Sequence, residues 1–128
     1  MDHKKGESAE GEGRSVVRLR WEAVGPDLVL WFSGAGEHVG AVALGDFDAR
    51  SGRAYVQCLS APGHRDDLVA RQMALEASRR LRGRVVAFGG IHLDDITSEE
   101  RALVVANAER LLARFLEAYP SVGNATGR

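Results

Sequence analysis

The sequence predicts an α+β domain in which two helices pack on a mixed, mostly antiparallel sheet of five strands. Five stretches have the length and apolar pattern of strands, two have helical periodicity, and their order is β-β-β-β-α-β-α. The chain has 128 residues, enough for one hydrophobic core and too few for two. We therefore expect a single domain over residues 15–119, flanked by a flexible C-terminus at residues 120–128. The polar residues 1–14 are expected to form a disordered tail, because little apolar burial is available to offset the entropy of ordering them.

Four of the predicted strands precede the first helix. The stretch "SVVRLRWEAV" (15–24) alternates between apolar and charged residues, which is typical of a strand buried on one face. The stretch "LVLWFS" (28–33) is continuously apolar, which is typical of a strand covered on both faces. A third strand is expected around residues 39–44 and a fourth in "AYVQCLS" (54–60), with turns at "GPD", "GAGEH" and "DARSG".

Two later stretches have helical periodicity. Asp66 or Asp67 is expected to cap the first helix and Gly83 to end it, after which "RVVAFGGI" forms the fifth strand. At "TSEE", Thr97 and Glu100 predict a capping box for the second helix. The apolar stripe of the first helix comprises Ala70, Met73, Ala74, Ala77 and Leu81. The stripe of the second comprises Val104, Ala108, Leu111, Leu112, Phe115, Leu116 and Tyr119.

Composition limits the classes of partner and the location. The 17 basic and 18 acidic side chains leave a net charge of −1, so no overall field favours a nucleic acid or an anionic membrane as partner. No stretch approaches the ~20 apolar residues of a membrane-spanning helix, and the N-terminus lacks the apolar centre of a signal peptide. Cys58, the single cysteine, cannot form a disulfide within the chain, so we expect a cytoplasmic location. Its position in the middle of a predicted strand, without an activating group, favours a core residue over a nucleophile.

Three histidines each lie beside a glycine or close after one, where a predicted strand ends. They are His38 in "GEHVG", His64 in "PGHRDD" and His92 in "GGIHLDD". If the first helix is the crossover to a parallel fifth strand, all three loops fall on one edge of the sheet. Both helices also begin there, with unpaired N–H groups and the positive ends of their dipoles. The sequence therefore predicts an anionic-ligand site at this edge, with phosphate as the natural candidate and Arg65 as a residue that can pair with it.

Other interpretations of the same residues stay open. The three histidines can also bind a divalent metal, with Asp94 or Asp95 as a base, which would make the chain a small metal-dependent enzyme. Each histidine can equally be a hydrogen-bonded loop residue, and the two aspartates can simply favour the start of the second helix. Gly34 and Gly36 are explained by hairpin geometry with positive φ as well as by the close approach of a flat ring or a phosphate.

Three stretches carry a family resemblance: "SGAGEHVGAVALG", "PGHRDDLVARQMA" and "GGIHLDDITSEE". Together they resemble the small LpdD-like proteins, the accessory D subunits encoded with gallate and related hydroxyarylic-acid decarboxylases and described as prenylated-flavin chaperones. The likeness runs from about residue 24 to residue 119. It implies a non-catalytic protein that holds prenylated FMN, or FMN, between a flavin prenyltransferase and a UbiD-type decarboxylase. The binding residues it implies are Gly34, Gly36, His38, Gly40, Gly63, His64, Arg65, Gly90 and His92.

The predicted sheet also bears on assembly. Helices on one side of a sheet leave a face or an edge exposed, so we expect a homodimer. An alternative is a structural subunit of a decarboxylase that pairs through exposed strand edges.

Overall fold

The computed structural model describes residues 4–63 and 66–119, so the expectations for residues 1–3, His64, Arg65 and residues 120–128 lie outside it. The strands are β1 Lys5–Glu10, β2 Val17–Val24, β3 Asp27–Ser33, β4 Ala41–Asp48, β5 Arg53–Ser60 and β6 Val85–Gly90. The helices are α1 Asp67–Leu81, which lies between β5 and β6, and α2 Ser98–Ala118, which follows β6. A short 3-10 helix over Gly13–Ser15 joins β1 to β2.

The described strands form one mixed sheet in the order β1-β2-β3-β6-β4-β5. The β3–β6 pair is parallel, and the other four neighbouring pairs are antiparallel. A parallel pair needs a crossover connection, and the α1 segment between β5 and β6 brings β6 in beside β3. The predicted α+β architecture with a mixed, mostly antiparallel sheet is confirmed, with six strands in place of five.

The additional strand, β1, lies in the tail for which the composition predicts disorder, and that prediction is wrong for residues 5–10. β1 pairs with β2 along its whole length, so its backbone groups are satisfied although its side chains are polar. Glu10 forms ion pairs with Arg110 and Arg114 of α2, and the Arg114 guanidinium also donates to the Ala9 carbonyl. Backbone pairing and ion pairs therefore order a segment that has almost no apolar side chains.

One face of the sheet is covered by both helices and holds the hydrophobic core. α1 lies over β4, β5 and β6, and α2 lies over β1 and β2. The predicted apolar stripes of both helices are buried, except that Tyr119 is only partly buried. α1 approaches β4 so closely at Gly45 that a side chain there would collide with the Ala74 carbonyl. A glycine is therefore required where the helix rests on the sheet.

The other face of the sheet is covered by neither helix. We call it the open face and define it by the apolar side chains that point to it from four strands: Val29, Trp31, Val42, Leu44, Tyr55, Leu59, Val86 and Phe88. The continuously apolar β3 pattern predicts a strand covered on both faces. Within a single chain this prediction is wrong, because the helices supply only one covering layer.

The start of α2 follows the prediction. Thr97 and Glu100 form the capping box, and the Arg14 guanidinium donates to Glu100 at 2.8 Å. Hydrogen bonding to the Thr97 backbone N–H, with the Arg14 contact second, lowers the pKa of Glu100. This carboxylate therefore stabilises the fold at neutral pH, and the contribution is lost as the pH falls through its lowered pKa. Neither described helix is long and apolar enough to cross a membrane.

The end of α1 differs from the prediction by one residue. Arg82, with φ of 54°, takes the left-handed position that we expect for Gly83. The backbone N–H groups of both residues donate to the Ser78 carbonyl. Because β6 begins at Val85, the chain has three residues in which to reverse, and it turns at the first of them.

Replacing Thr97 with alanine is expected to lower the free energy of unfolding by about 1 kcal/mol, because the Glu100 N–H loses its acceptor. Urea unfolding followed by circular dichroism measures the change. Ser98→Ala, at the next exposed position, is the control and should alter stability by less than about 0.5 kcal/mol. Equal losses in the two variants would contradict the capping role.

Candidate functional site

The carboxyl ends of β3, β5 and β6 lie at one edge of the sheet. β3 and β6 run parallel, and β5 and β6 are each antiparallel to β4. His38 follows β3 and His92 follows β6, and their rings meet edge to face with centroids 6.2 Å apart. The structure thus brings together two of the three predicted histidines. His64 and Arg65 follow β5 in the sequence but lie outside the described residues.

A buried carboxylate, that of Asp66, joins the two histidine loops. Its residue is 8% exposed. Oδ2 lies 3.1 Å from His38 Nε2, and Oδ1 accepts a hydrogen bond of 2.9 Å from the Ile91 backbone N–H. The Asp66 carbonyl accepts from the Ala70 N–H in the first turn of α1. Asp66 therefore fixes the loop after β3, the loop after β6 and the start of α1 relative to one another.

Asp66 occupies the predicted N-cap position of α1, but its side chain has a different role. It makes no capping hydrogen bond to the helix, because its two oxygens point to the other loops. Asp67, the other predicted cap, is the first residue of the helix. An aspartate before a helix is an ordinary cap signal, so the sequence contains nothing that distinguishes the two roles. The Asp66 side chain therefore does not cap α1 in the way that the Thr97 side chain caps α2.

Both ring nitrogens of His38 face oxygen atoms. Nδ1 lies 3.0 Å from the Gly36 carbonyl, and Nε2 lies beside Asp66. A neutral imidazole has one N–H and can donate to only one of these acceptors. Satisfying both requires one further proton, either on the imidazole or on the Asp66 carboxyl, and the imidazolium form makes the bond charge-assisted. In this geometry His38 is bonded to protein oxygens through both nitrogens.

Two of the predicted binding glycines make room for this pair. A side chain at Gly40 would collide with Asp66 Oδ2, and one at Gly90 would collide with the His38 ring. The absence of Cβ atoms lets the carboxylate and the imidazole lie directly on the backbone. The family resemblance implies that these two glycines bind the ligand; in the structure, side chains of the site itself lie in the space beside them.

The other predicted glycines contribute in different ways. A side chain at Gly34 would collide with Ile91. Gly36 has φ of 69° and Gly63 has φ of 79°, in the left-handed region that favours glycine. The turn geometry therefore accounts for Gly36. At Gly63 a side chain would have no described atom within 4 Å.

His92 is the exposed member of the histidine pair. Its side chain is 62% exposed, and its Nε2 lies 2.9 Å from Oδ1 of Asp94, whose side chain is 88% exposed. The His92 backbone N–H donates to the Ala35 carbonyl, which ties the loop after β6 to the loop after β3. The backbone is therefore anchored while the ring stays at the surface, where it can contact a ligand. The cap of α2 is Thr97, so Asp94 has no capping role.

The described residues do not assemble the three-histidine metal site of the alternative hypothesis. Over residues 4–63 and 66–119, no group of three His, Cys, Asp or Glu side chains is placed to hold a metal ion. His38 would first have to leave its two oxygen partners.

Burial, followed by the nearby charge of Asp67, raises the pKa of the Cys58 thiol. This thiol therefore stays protonated at neutral pH, which disfavours a nucleophilic role.

Asp66→Ala is expected to lower the free energy of unfolding by about 2–3 kcal/mol, because a buried N–H and His38 lose their shared acceptor. Chemical denaturation measures the loss. The control is Asp67→Ala in the first turn of α1, for which the helix dipole predicts a loss of about 0.5 kcal/mol. If the two variants lost the same amount, Asp66 would act only through its charge near the helix start.

Gly90→Ala is expected to destabilise the wild-type chain by about 1–3 kcal/mol, because the added methyl group displaces the His38 ring. In a His38→Ala background the same change should cost far less. A double-mutant cycle measures this coupling, for which we expect at least about 1 kcal/mol. Purely additive effects would mean that the ring position does not depend on Gly90.

Comparison with known proteins identifies the fold and the family. Among solved structures, a chain from "Crystal Structure of a Novel Chaperone Complex for Yeast 20S Proteasome Assembly" has a TM-score of 0.59 and 16% sequence identity. The alignment covers 89% of this chain and 92% of that chain, and at this identity it shows a shared fold. Comparison with curated proteins found no match. The prenylated flavin chaperone LpdD-like domain matches residues 11–119, which confirms the predicted resemblance, and the chain therefore belongs to that family.

Proposed function

We propose that the chain is a non-catalytic carrier that binds prenylated FMN, protects it, and passes it to a UbiD-type decarboxylase. The observation that carries the proposal is membership of the prenylated flavin chaperone family over residues 11–119. A flavin prenyltransferase is then the source of the prenylated FMN. We propose FMN as a second ligand of the same site. Prenylated FMN supplies its chemistry in the decarboxylase, whereas the residues of this chain bind and orient it, and none is assigned a catalytic role.

The start of α1 suits the phosphate of such a ligand. Backbone N–H groups and the positive end of a helix dipole bind phosphate. The Asp66 side chain bonds to the other loops and does not cap α1, so we assign the first turn of α1 to the phosphate. His64 and Arg65 directly precede Asp66, the N-cap of this helix, in the sequence, and we assign them to the phosphate. The start of α2 is closed by its capping box and receives no ligand role.

The surface beside His92 suits the flat ring system. The His92 ring is exposed, and Gly36 lies next to it, since a side chain at Gly36 would come within 3.6 Å of His92 Cβ. An imidazole face and a backbone without a side chain can both contact an aromatic ring closely. The surface beside Gly63, where a side chain would meet no described atom within 4 Å, is assigned to the part of the ligand between ring and phosphate.

The buried and half-buried residues of the edge are assigned a positioning role. His38 and Asp66 bond to each other and to the backbone, so they hold the loops in place and leave the ligand to more exposed groups. Gly34, Gly40 and Gly90 act with them by leaving the space that this packing needs. Substitutions at these five positions should weaken binding together with stability. A substitution at an exposed contact residue should weaken binding alone.

Anaerobic titration of the purified chain with prenylated FMN and with FMN, followed by flavin fluorescence, tests the proposal. The wild type should show saturable binding. His92→Ala should raise Kd about tenfold, or about 1.4 kcal/mol, without a change in urea stability. Arg80→Ala, at an exposed position near the far end of α1, is the control and should keep the wild-type Kd.

The same titration separates the phosphate assignment from the ring assignment. His64→Ala and Arg65→Ala should weaken the binding of FMN. The binding of riboflavin, which has no phosphate, should be unchanged. Failure of the wild type to bind any of these flavins would contradict the carrier proposal. Saturable binding that is insensitive to His92→Ala would keep the carrier but move the ring away from this edge.

A further inference from the structure

We propose that two copies of this chain pack sheet against sheet through the open face, forming a closed homodimer. This proposal is independent of flavin binding, because it concerns the face of the sheet, whereas the histidine loops lie at the end of its strands. It rests on the apolar content, the size, the shape and the charge of the open face.

The open face has an apolar centre that runs across four strands. Cross-strand neighbours place Trp31, Phe88, Val42 and Leu59 in one row and Val29, Val86 and Leu44 in the next. Trp31 and Phe88 stack with centroids 5.8 Å apart. No charged side chain interrupts these two rows on β3, β6 and β4. An antiparallel sheet with one face in water normally carries polar side chains there.

Several of these apolar side chains are well exposed in the single chain. Val42 and Leu44 are 40% and 42% exposed, Tyr55 is 54% exposed and Leu59 is 80% exposed. All four side chains lie on the neighbouring strands β4 and β5. Together with the two central rows they form one continuous apolar patch. Contiguous apolar patches of this kind mark interaction surfaces on soluble proteins.

The size of the face suits a stable dimer. Six strands at about 4.8 Å spacing and about eight residues at about 3.3 Å each give a face of roughly 25 Å by 25 Å. A standard protein interface buries about 800 Å² on each partner. A flat projection of on the order of 600 Å², enlarged by side-chain relief, is comparable to that area. Two aligned sheets pack about 10 Å apart, so a copy of the same face can cover it completely.

The relief of the face is complementary to itself. A depression of about 350 Å³ lies on the β2–β3 half, beside Trp31, Val29 and Val24. Leu59, the most exposed of the large apolar side chains, projects from the β4–β5 half together with Tyr55 and Leu44. A twofold rotation about an axis parallel to the strands places each half over the other, so both copies fill the same depression in the same way. Such a reciprocal contact closes on itself and stops at two subunits.

The charges on the open face also permit a second copy of the chain to pack against it. On the outer strands, opposite charges lie across from one another, in the pairs Lys5 with Glu22 and Arg53 with Asp48. Arg20 forms ion pairs with Glu7 and Glu37 and stacks over the Trp31 ring at 4.2 Å. The rim is therefore close to neutral within each chain, and two copies meet without net repulsion. A partner chosen by charge would need an excess of one sign, which this rim lacks.

Light scattering coupled to size exclusion, over a range of micromolar concentrations, tests the proposal on the full chain. The wild type should have twice the chain mass of 13.8 kDa. Val42→Lys with Leu44→Lys should give a folded monomer, as judged by far-UV circular dichroism. Leu68→Lys is the matched control, because Leu68 is 66% exposed but lies on α1, and this variant should remain a dimer.

A second double variant, Val42→Thr with Leu44→Thr, keeps strand propensity. It tests the dimer proposal if the lysine variant does not fold. It should raise the dimer dissociation constant at least tenfold. A wild type at the mass of one chain would overturn the proposal and leave the open face to a different protein. A dimer unaffected by the face variants, or growth to larger assemblies, would also overturn it.

Discussion

The carboxylate of Asp66 is the contact on which the edge of the sheet depends. It pairs with His38 and accepts from the Ile91 N–H, groups that lie 28 and 25 residues away along the chain. Because burial makes an unpaired carboxylate or N–H costly, these groups hold one another in place. The loops after β3 and β6 and the start of α1 therefore cannot move independently. This contact requires glycine at Gly40 and Gly90, since a side chain at either position would occupy the space of the carboxylate or the imidazole.

What could be predicted from the sequence is what local patterns and chain connectivity determine. The apolar stripes and the Thr97 capping box are local signals, and the common edge of His38 and His92 follows from strand direction and the crossover rule. The role of Asp66 could not be predicted, because its local signal is that of a cap and its partners are distant. β1 could not be predicted either. Its helix-facing positions are glycine, serine and glutamate, and its order depends on an exposed β2 edge and on arginines of α2.

The two central strands have an apolar pattern that packing within a single chain does not satisfy. β3 and β6 are apolar on both faces, a pattern typical of strands between two covering layers. The helices supply one layer, and the proposed dimer supplies the other with the same kind of surface. Packing of this kind covers the faces of the strands and leaves their carboxyl ends accessible. The proposed assembly and the proposed ligand site thus use different parts of the sheet, and variants in one should leave the other measurable.

A carrier must bind its ligand firmly and still release it, which limits how deeply the ligand can be buried. At this edge the buried hydrogen bonds join protein groups to one another, while the His92 ring stands outside them. Fixed loops lose little conformational entropy when a ligand arrives, and exposed contacts in a high dielectric hold it less tightly than buried ones. The groove between α1 and α2 is a poorer candidate. Its cavity of about 220 Å³ falls below the roughly 300–1,000 Å³ of pockets that enclose ligands of this class. The histidine edge combines a rigid frame with the exposure that the proposed transfer requires.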